Sequence, residues 1–199
     1  MFQQPGAAVI LAVTVATSLI GLFAAPQLID RSLFRPYWFL RRRQFSTIYM
    51  SGLVHADPAH LLFNMLTFFY FAFPLEREIG TVKFLALYLL ALAVSHVWTY
   101  LRHRDDREYA SLGASGAIAA VLFAYIVYFP TTTLMLFFLP VPIPAPLFAV
   151  AYVAYEYWAG RQRLGRVNHE AHLSGALFGV AFVAVTDPGA IGELLEMLG

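Results

Sequence analysis

The stretch Gly113-Ala114-Ser115-Gly116 opens an apolar run that ends at Pro130. The 15 residue steps from Ser115 to Pro130 make about 22 Å of helix, against a hydrocarbon core of about 30 Å. If Pro130 marks one interface, the Ser115 hydroxyl lies several ångströms below the other. Polar groups at that depth need protein or water around them. The stretch therefore suits a catalytic serine, although serine is also a common packing residue in membrane helices.

A second polar stretch, EAHLSG at residues 170–175, lies near the end of the chain. His172 begins an apolar run that stops at Asp187, again 15 residue steps later. One helix lies between this run and the run that begins at Ser115, so both cross the membrane in the same direction. Ser115 and His172 therefore fall at the same depth, which is the arrangement of a nucleophile beside its base.

Small residues follow both polar positions. Gly116 and Ala120 lie one turn apart behind Ser115, and Gly175 and Gly179 are spaced in the same way behind His172. Small residues four apart let two membrane helices approach closely. The pattern predicts direct packing of the two helices.

Composition identifies the chain as a membrane protein. Sixty per cent of its 199 residues are hydrophobic, 13% are charged, and the mean hydropathy is +0.66, which is far above a soluble domain. The formal net charge of +1 argues against nucleic acid as a partner. Cysteine is absent, which excludes disulfides, thiolate metal sites and a cysteine nucleophile. We expect one domain over residues 1–199, in contact with the lipid bilayer.

The hydrophobic runs predict an all-α fold, a polytopic bundle of six transmembrane helices. The predicted spans are residues 6–25, 58–75, 82–101, 115–129, 147–158 and 172–186. No Lys or Arg precedes the first run, so a cleaved signal peptide is not expected. The connection over residues 26–54 combines arginines with aromatic residues, which indicates an interfacial element. Alternating prolines over residues 140–146 exclude a regular helix and predict a partly embedded turn.

Polar residues also mark the start of the second span. Asp57 and Pro58 form a helix start, with Asp57 as the N-cap. His60 and Asn64 follow four residues apart on one helical face, and His60 falls at about the depth of Ser115. Because an amide that faces lipid is unfavourable, Asn64 is expected to face the interior. There it either joins helices by hydrogen bonding or donates to an oxyanion.

Together these motifs resemble those of the rhomboid intramembrane serine proteases, over residues 45–185. The motifs are Gly113-Ala-Ser-Gly116, His55-x4-His60-x3-Asn64, Glu76-x3-Gly80 and Ala171-His172-x2-Gly175-x3-Gly179. The resemblance implies the six-span core of that family and a serine endopeptidase. It also implies that the substrates are transmembrane segments of other membrane proteins, cleaved without a metal or cofactor.

The resemblance assigns a role to each polar residue. Ser115 is the implied nucleophile and His172 its general base, in a dyad that has no catalytic aspartate. His60, Asn64 and the backbone N–H of Ser115 are implied to line the oxyanion hole, and Gly113 belongs to the same substrate-binding region.

The sequence departs from the family pattern in three places. Ser46-Thr47 stand where many members have Trp-Arg in the first loop. Ala119 stands one turn after the serine, where some members stack an aromatic ring on the histidine, and Glu78 replaces a basic residue. These departures affect loop anchoring and ring orientation rather than the dyad. Inactive relatives typically lose the serine or the histidine or carry proline before the serine. Here the residue before Ser115 is alanine, so activity is favoured.

Two other functions stay open. A non-catalytic rhomboid-like protein would bind membrane helices without cleaving them. A metal site could gather His55, His60, His169 and His172 at one depth, since imidazole is a common zinc ligand. Glu156, in the fifth span, is either a helix-end carboxylate at the interface or a buried partner.

We expect a multi-pass protein of the bacterial inner membrane. Rhomboid catalytic sites generally face away from the cytoplasm. The basic residues favour the opposite orientation, because 11 of the 13 Lys and Arg residues lie in connections on the side of Ser115. Short loops rich in Lys and Arg are usually cytoplasmic.

Overall fold

A computed structural model describes residues 4–136, 139–162, 165 and 167–198 of the chain. These ranges contain ten helices and a two-stranded hairpin. In chain order the elements are α1 (Pro5–Phe23), α2 (Pro26–Ser32), α3 (Pro36–Arg41), α4 (Thr47–Leu53), α5 (Pro58–Ile79), α6 (Thr81–His103), α7 (Ser115–Tyr128), β1 (Thr133–Leu136), β2 (Leu139–Pro144), α8 (Ala145–Gln162), α9 (His169–Thr186) and α10 (Pro188–Leu198). The helical membrane bundle that the sequence predicts is confirmed.

Helix α7, which begins at Ser115, is the centre of the bundle. Eleven of its 14 residues are buried, and the buried positions run around its whole circumference. It packs against α5, α6 and α9. A helix that is apolar on every face is stable only when other helices enclose it.

Within the described ranges, three helices are each long and apolar enough to cross a membrane, namely α1, α5 and α6. Helix α7 is apolar but has 14 residues. Helix α9 turns by 111° into α10, and the number of spans rises to at most four if this bent pair counts as one. The sequence predicts six spans. Helices α8 and α9 do not meet the same criterion singly, because both carry polar residues at the end near Ser115.

Side-chain caps define the start of two helices. The Asp57 carboxylate accepts a hydrogen bond from the His60 N–H at 2.8 Å, which confirms the predicted start of α5. The side chain of Asn168 accepts from the Ala171 N–H at 3.0 Å and caps α9. Helix α9 therefore begins at His169, earlier than the predicted span at 172, and His172 is its fourth residue.

The connection over residues 26–54 is folded onto the bundle as α2, α3 and α4. Phe34, between α2 and α3, exchanges two backbone hydrogen bonds of 3.0 Å with Ser111. The Phe34 side chain is 1% exposed, and its ring packs edge-on against His96 of α6 with centroids 4.3 Å apart. The first connection is thus tied to the segment that leads into Ser115.

A buried carboxylate ties α1 to the turn between α5 and α6. Glu76 accepts hydrogen bonds from the N–H groups of Gly6 and Ala7 at 2.9 and 2.6 Å, and from the Thr81 hydroxyl at 2.7 Å. The free N–H groups at the start of a helix favour a negative charge there. Gly80, with φ of 80°, then turns the chain into α6.

The proline-rich segment is a β-hairpin, where the sequence predicts a partly embedded turn. Strand β1 pairs antiparallel with β2, and Leu134 lies opposite Ile143. In an antiparallel pair, every second N–H points away from the partner strand. Prolines at alternate positions can therefore sit in β2 without removing the hydrogen bonds of the pair. This hairpin is a local exception to the all-α prediction.

Candidate active site

Ser115 is the first residue of α7, and its side chain is half-buried. The chain reaches it through Gly113, whose φ of 108° is rarely adopted by residues that carry a Cβ. The Gly113 N–H donates to the carbonyl oxygen of Ser51 at 2.8 Å, which anchors this turn to α4. The first N–H groups of a helix have no acceptor within it. The start of α7 can therefore donate to an anionic oxygen.

Gly113 lies directly against His60 and Asn64. A Cβ built on Gly113 would lie 2.6 Å from Cε1 of His60 and 3.6 Å from Nδ2 of Asn64. Asn64 is 8% exposed, and its Nδ2 has no hydrogen-bond partner in the described part of the chain. A buried N–H without an acceptor is unfavourable by about 1–3 kcal/mol. The amide is therefore available to an acceptor that a ligand brings.

Helices α7 and α9 approach each other through their small residues. A Cβ on Gly175 would overlap the carbonyl oxygen of Gly116 and lie 2.8 Å from its carbonyl carbon. A Cβ on Gly179 would lie 2.9 Å from the carbonyl carbon of Ala120. Only glycine fits at either position. The four small residues that the sequence singles out therefore form one backbone-to-backbone contact.

This contact brings Ser115 and His172 to the same end of the α7–α9 interface. A Cβ on Gly116 would lie 3.1 Å from the carbonyl oxygen of Ala171. Ser115 directly precedes Gly116 in the sequence, and His172 directly follows Ala171. His172 is half-buried like Ser115. Among the described residues no hydrogen bond joins the Ser115 hydroxyl to the His172 ring. Hydrogen bonds of catalytic groups are often loose before substrate binds.

The His172 ring is instead hydrogen-bonded to Glu156 of α8. Its Nδ1 lies 3.0 Å from Oε1 of Glu156, and Nδ1 of His169 lies 2.6 Å from Oε2 of the same carboxylate. Glu156 is 5% exposed. Of the two roles left open by the sequence, Glu156 is the buried partner. The sequence signal for this role was a carboxylate inside an apolar span, because ionisable groups in such spans usually pair with a specific partner.

The other histidines do not form one cluster. His55 is fully buried and lies 3.1 Å, Nδ1 to Oγ, from Ser18 of α1. Burial, and the nearby His60 to a smaller extent, lower the pKa of His55 to about 3, so this ring is neutral. The rings of His55 and His60 are 4.9 Å apart, whereas those of His169 and His172 form a separate pair around Glu156. No group of three potential metal ligands occurs among the described residues.

The fold and this cluster define a polytopic helical membrane protein with serine, histidine and asparagine side chains at one end of its bundle. The chain matches the Rhomboid domain over residues 42–188. It is 33% identical to Rhomboid protein 1, mitochondrial, of Saccharomyces cerevisiae over 135 residues, which cover 66% of this chain and 39% of that protein. The chain belongs to the rhomboid family.

Other relatives give the same assignment. Presenilin-associated rhomboid-like protein, mitochondrial, of Homo sapiens is 32% identical over 140 residues, covering 69% of this chain and 37% of that protein. RHOMBOID-like protein 12, mitochondrial, of Arabidopsis thaliana is 28% identical over 145 residues, covering 65% of this chain and 43% of that protein. The chain thus spans about two fifths of the length of these curated relatives. All three names specify mitochondria, so they lend no support to the expected bacterial inner membrane.

Proposed function

We propose that this rhomboid-family membrane protein is a serine endopeptidase that cleaves transmembrane segments of other membrane proteins. The observation that carries the proposal is the buried Nδ2 of Asn64, which has no acceptor in the described part of the chain and lies beside Gly113, two residues before Ser115. An unmatched donor next to a candidate nucleophile suits an oxygen that becomes negatively charged during acyl transfer.

The proposed reaction uses four residues. The Ser115 Oγ attacks the carbonyl carbon of the scissile peptide bond while its proton passes to Nε2 of His172. The carbonyl oxygen takes the negative charge and is held by Asn64 Nδ2, His60 and the Ser115 N–H. The C–N bond then breaks, and His172 delivers its proton to the leaving amine. Water repeats the same steps on the Ser115 ester and regenerates the free hydroxyl.

The partial burial of the site supports the proposed substrate class. Ser115 and His172 are half-buried rather than sealed, so a peptide and water can both reach them, as hydrolysis in a membrane requires. A transmembrane segment must leave its helical conformation locally to present a carbonyl group. Glycine and other small residues make that departure easier. We therefore propose cleavage near small residues of locally unwound segments, without a metal or cofactor. The proposed hydrolysis does not depend on whether the membrane is bacterial or mitochondrial.

A non-catalytic protein that binds membrane helices is the second candidate. The absence of a Ser115–His172 hydrogen bond among the described residues favours it, because a binding protein needs the small-residue interface but no proton transfer. The two candidates differ in whether Ser115 reacts.

The test is cleavage and covalent labelling in proteoliposomes that contain a panel of single-span substrates. We expect the intact chain to cleave at least one substrate and to react with a fluorophosphonate, and Ser115→Ala to do neither. Ser174→Ala is the matched control, because the Ser174 hydroxyl donates to the Glu170 carbonyl at 2.8 Å within its own helix. An intact chain that binds substrates but neither cleaves them nor reacts would establish the non-catalytic candidate.

A further inference from the structure

The carboxylate of Glu156 contacts the proposed general base directly, which the Ser–His dyad implied by the resemblance does not require. Its Oε1 lies 3.0 Å from Nδ1 of His172, and only 6% of its side chain is exposed. The two residues are 16 positions apart and lie on different helices. This contact therefore depends on the packing of α8 against α9.

The chemistry of a carboxylate decides which nitrogen of His172 carries the hydrogen. An ionised carboxylate can only accept hydrogen bonds. Nδ1 must then be the protonated nitrogen, which leaves the lone pair on Nε2. A lone pair on Nε2 is what a base needs in order to take a proton from the Ser115 hydroxyl.

We propose that Glu156 is a positioning residue that holds the His172 ring in the tautomer and orientation required to act on Ser115. This inference rests on the proposed function. In the described part of the chain, the ring contact of His172 is with His169, at 6.4 Å between centroids. No aromatic ring is stacked on His172 there, so the carboxylate is the group that fixes its orientation.

Glu156 is itself held in place. Its second oxygen, Oε2, lies 2.6 Å from Nδ1 of His169, in the first turn of the same helix as His172. Tyr152, one turn earlier in α8, is a further titratable group beside the carboxylate. A cavity of about 80 Å³ adjoins Glu156 and is also lined by Arg102 and Arg161.

A simpler role for Glu156 is a structural link between α8 and α9. A link and a positioning residue differ in what they change. Loss of a link lowers the fraction of folded protein and leaves the ring chemistry of His172 as it was. Loss of a positioning residue lowers kcat in protein that is still folded and changes the tautomer of His172.

The first measurement is the kinetics of Glu156→Gln, which keeps the shape of the side chain and removes its charge. We expect kcat per folded enzyme to fall about 10²-fold with KM within about a factor of two, because the group acts on the base and not on substrate binding. Glu170→Gln is the matched control: the same change in the same region, on a residue that pairs with Arg102 at 2.9 Å. Its kcat is expected to stay at the level of the unmodified enzyme.

The second measurement reads the tautomer and does not depend on activity. In protein with 15N-labelled histidine, His172→Asn assigns the His172 ring signals by their loss. We expect Nδ1 protonated and Nε2 unprotonated in the intact chain, and a mixture or reversal in Glu156→Gln. Glu170→Gln should leave the spectrum unchanged.

The two measurements separate this inference from the proposed function. An Nε2-protonated ring in the intact chain, or an unchanged kcat and spectrum in Glu156→Gln, would overturn the role of Glu156 while leaving a Ser115-dependent activity in place. An intact chain without any activity would refute the proposed function, and the role of Glu156 in catalysis with it, even if the ring spectrum showed the expected hydrogen bond.

Discussion

At the scale of single residues, Glu76, Asn168 and Asn64 illustrate two kinds of polar side chain inside the protein. Glu76 and Asn168 satisfy the N–H groups at the start of a helix, and the role of each is structural. Nδ2 of Asn64 has no such partner in the described part of the chain, although the residue is buried and only 8% exposed. A donor that stabilises nothing in the free protein is best explained by an interaction that forms only with substrate.

This distinction predicts opposite effects for two asparagine substitutions. Asn64→Ala should lower kcat by about 10²–10³-fold and change KM little, because an oxyanion donor acts mainly in the transition state. Its unfolding free energy in detergent should stay close to that of the intact chain. Asn168→Ala is the contrast, since loss of a helix cap lowers stability by about 1 kcal/mol. Unfolding of Asn64→Ala with normal kcat in the remaining folded protein would assign Asn64 to helix packing.

At the scale of elements, the contact between α7 and α9 depends on the absence of side chains. The carbonyl oxygens of Gly116 and Ala120 occupy the space that a Cβ of Gly175 or Gly179 would need. Both carbonyl oxygens belong to the backbone, so the clash cannot be relieved by a change of side-chain rotamer. Ser115 and His172 lie at one end of this contact, so its geometry sets their separation.

A single methyl group is therefore predicted to disturb the site from a distance. Gly175→Ala should push α9 away from α7, destabilise the fold by about 1–3 kcal/mol and reduce kcat/KM by about 10²-fold. Gly192→Ala in α10 is the matched control, because a Cβ there meets nothing within 4 Å. Proteolysis and thermal unfolding would be measured together. Full activity of Gly175→Ala would show that the close contact does not control the site.

At the scale of the whole molecule, basic residues are distributed unequally between the two ends of the bundle. Arg77 and Lys83 lie at the end opposite Ser115, and the sequence predicts the other 11 basic residues in or next to connections at the Ser115 end. Those residues are Arg31, Arg35, Arg41, Arg42, Arg43, Arg102, Arg104, Arg107, Arg161, Arg163 and Arg166. Basic residues in short loops favour the cytoplasmic side.

We predict that the Ser115 end faces the cytoplasm of a bacterial expression host, which is the reverse of the usual rhomboid orientation. The chain has no cysteine, so single cysteines at Gln162 and Glu196 report the two ends without background. Both positions are exposed. An impermeant thiol reagent applied to intact cells should label Glu196→Cys and spare Gln162→Cys. Labelling of Gln162→Cys alone would establish the usual orientation and show that the arginines act as interfacial anchors.

Local patterns were sufficient for much of this protein. The apolar runs predicted a helical membrane bundle, and Asp57-Pro58 predicted the start of α5, because helix formation and capping involve residues that are close in sequence. The spacing of Gly175 and Gly179 predicted the approach of α9 to α7 for the same reason, since residues four apart share one helical face. The motifs around Ser115 and His172 also identified the family, which the comparisons confirm.

Other features were decided only by the tertiary structure. The sequence could not choose between two roles for Glu156, because its partners His169 and His172 belong to another helix and depend on how α8 packs. Backbone hydrogen bonds likewise join Phe34 to Ser111 and β1 to β2. Almost every residue carries the same backbone N–H and C=O groups, so the sequence does not specify which of them pair. Hydrophobic length and helical spacing are local properties of a chain, whereas the partner of a buried carboxylate is set by long-range packing.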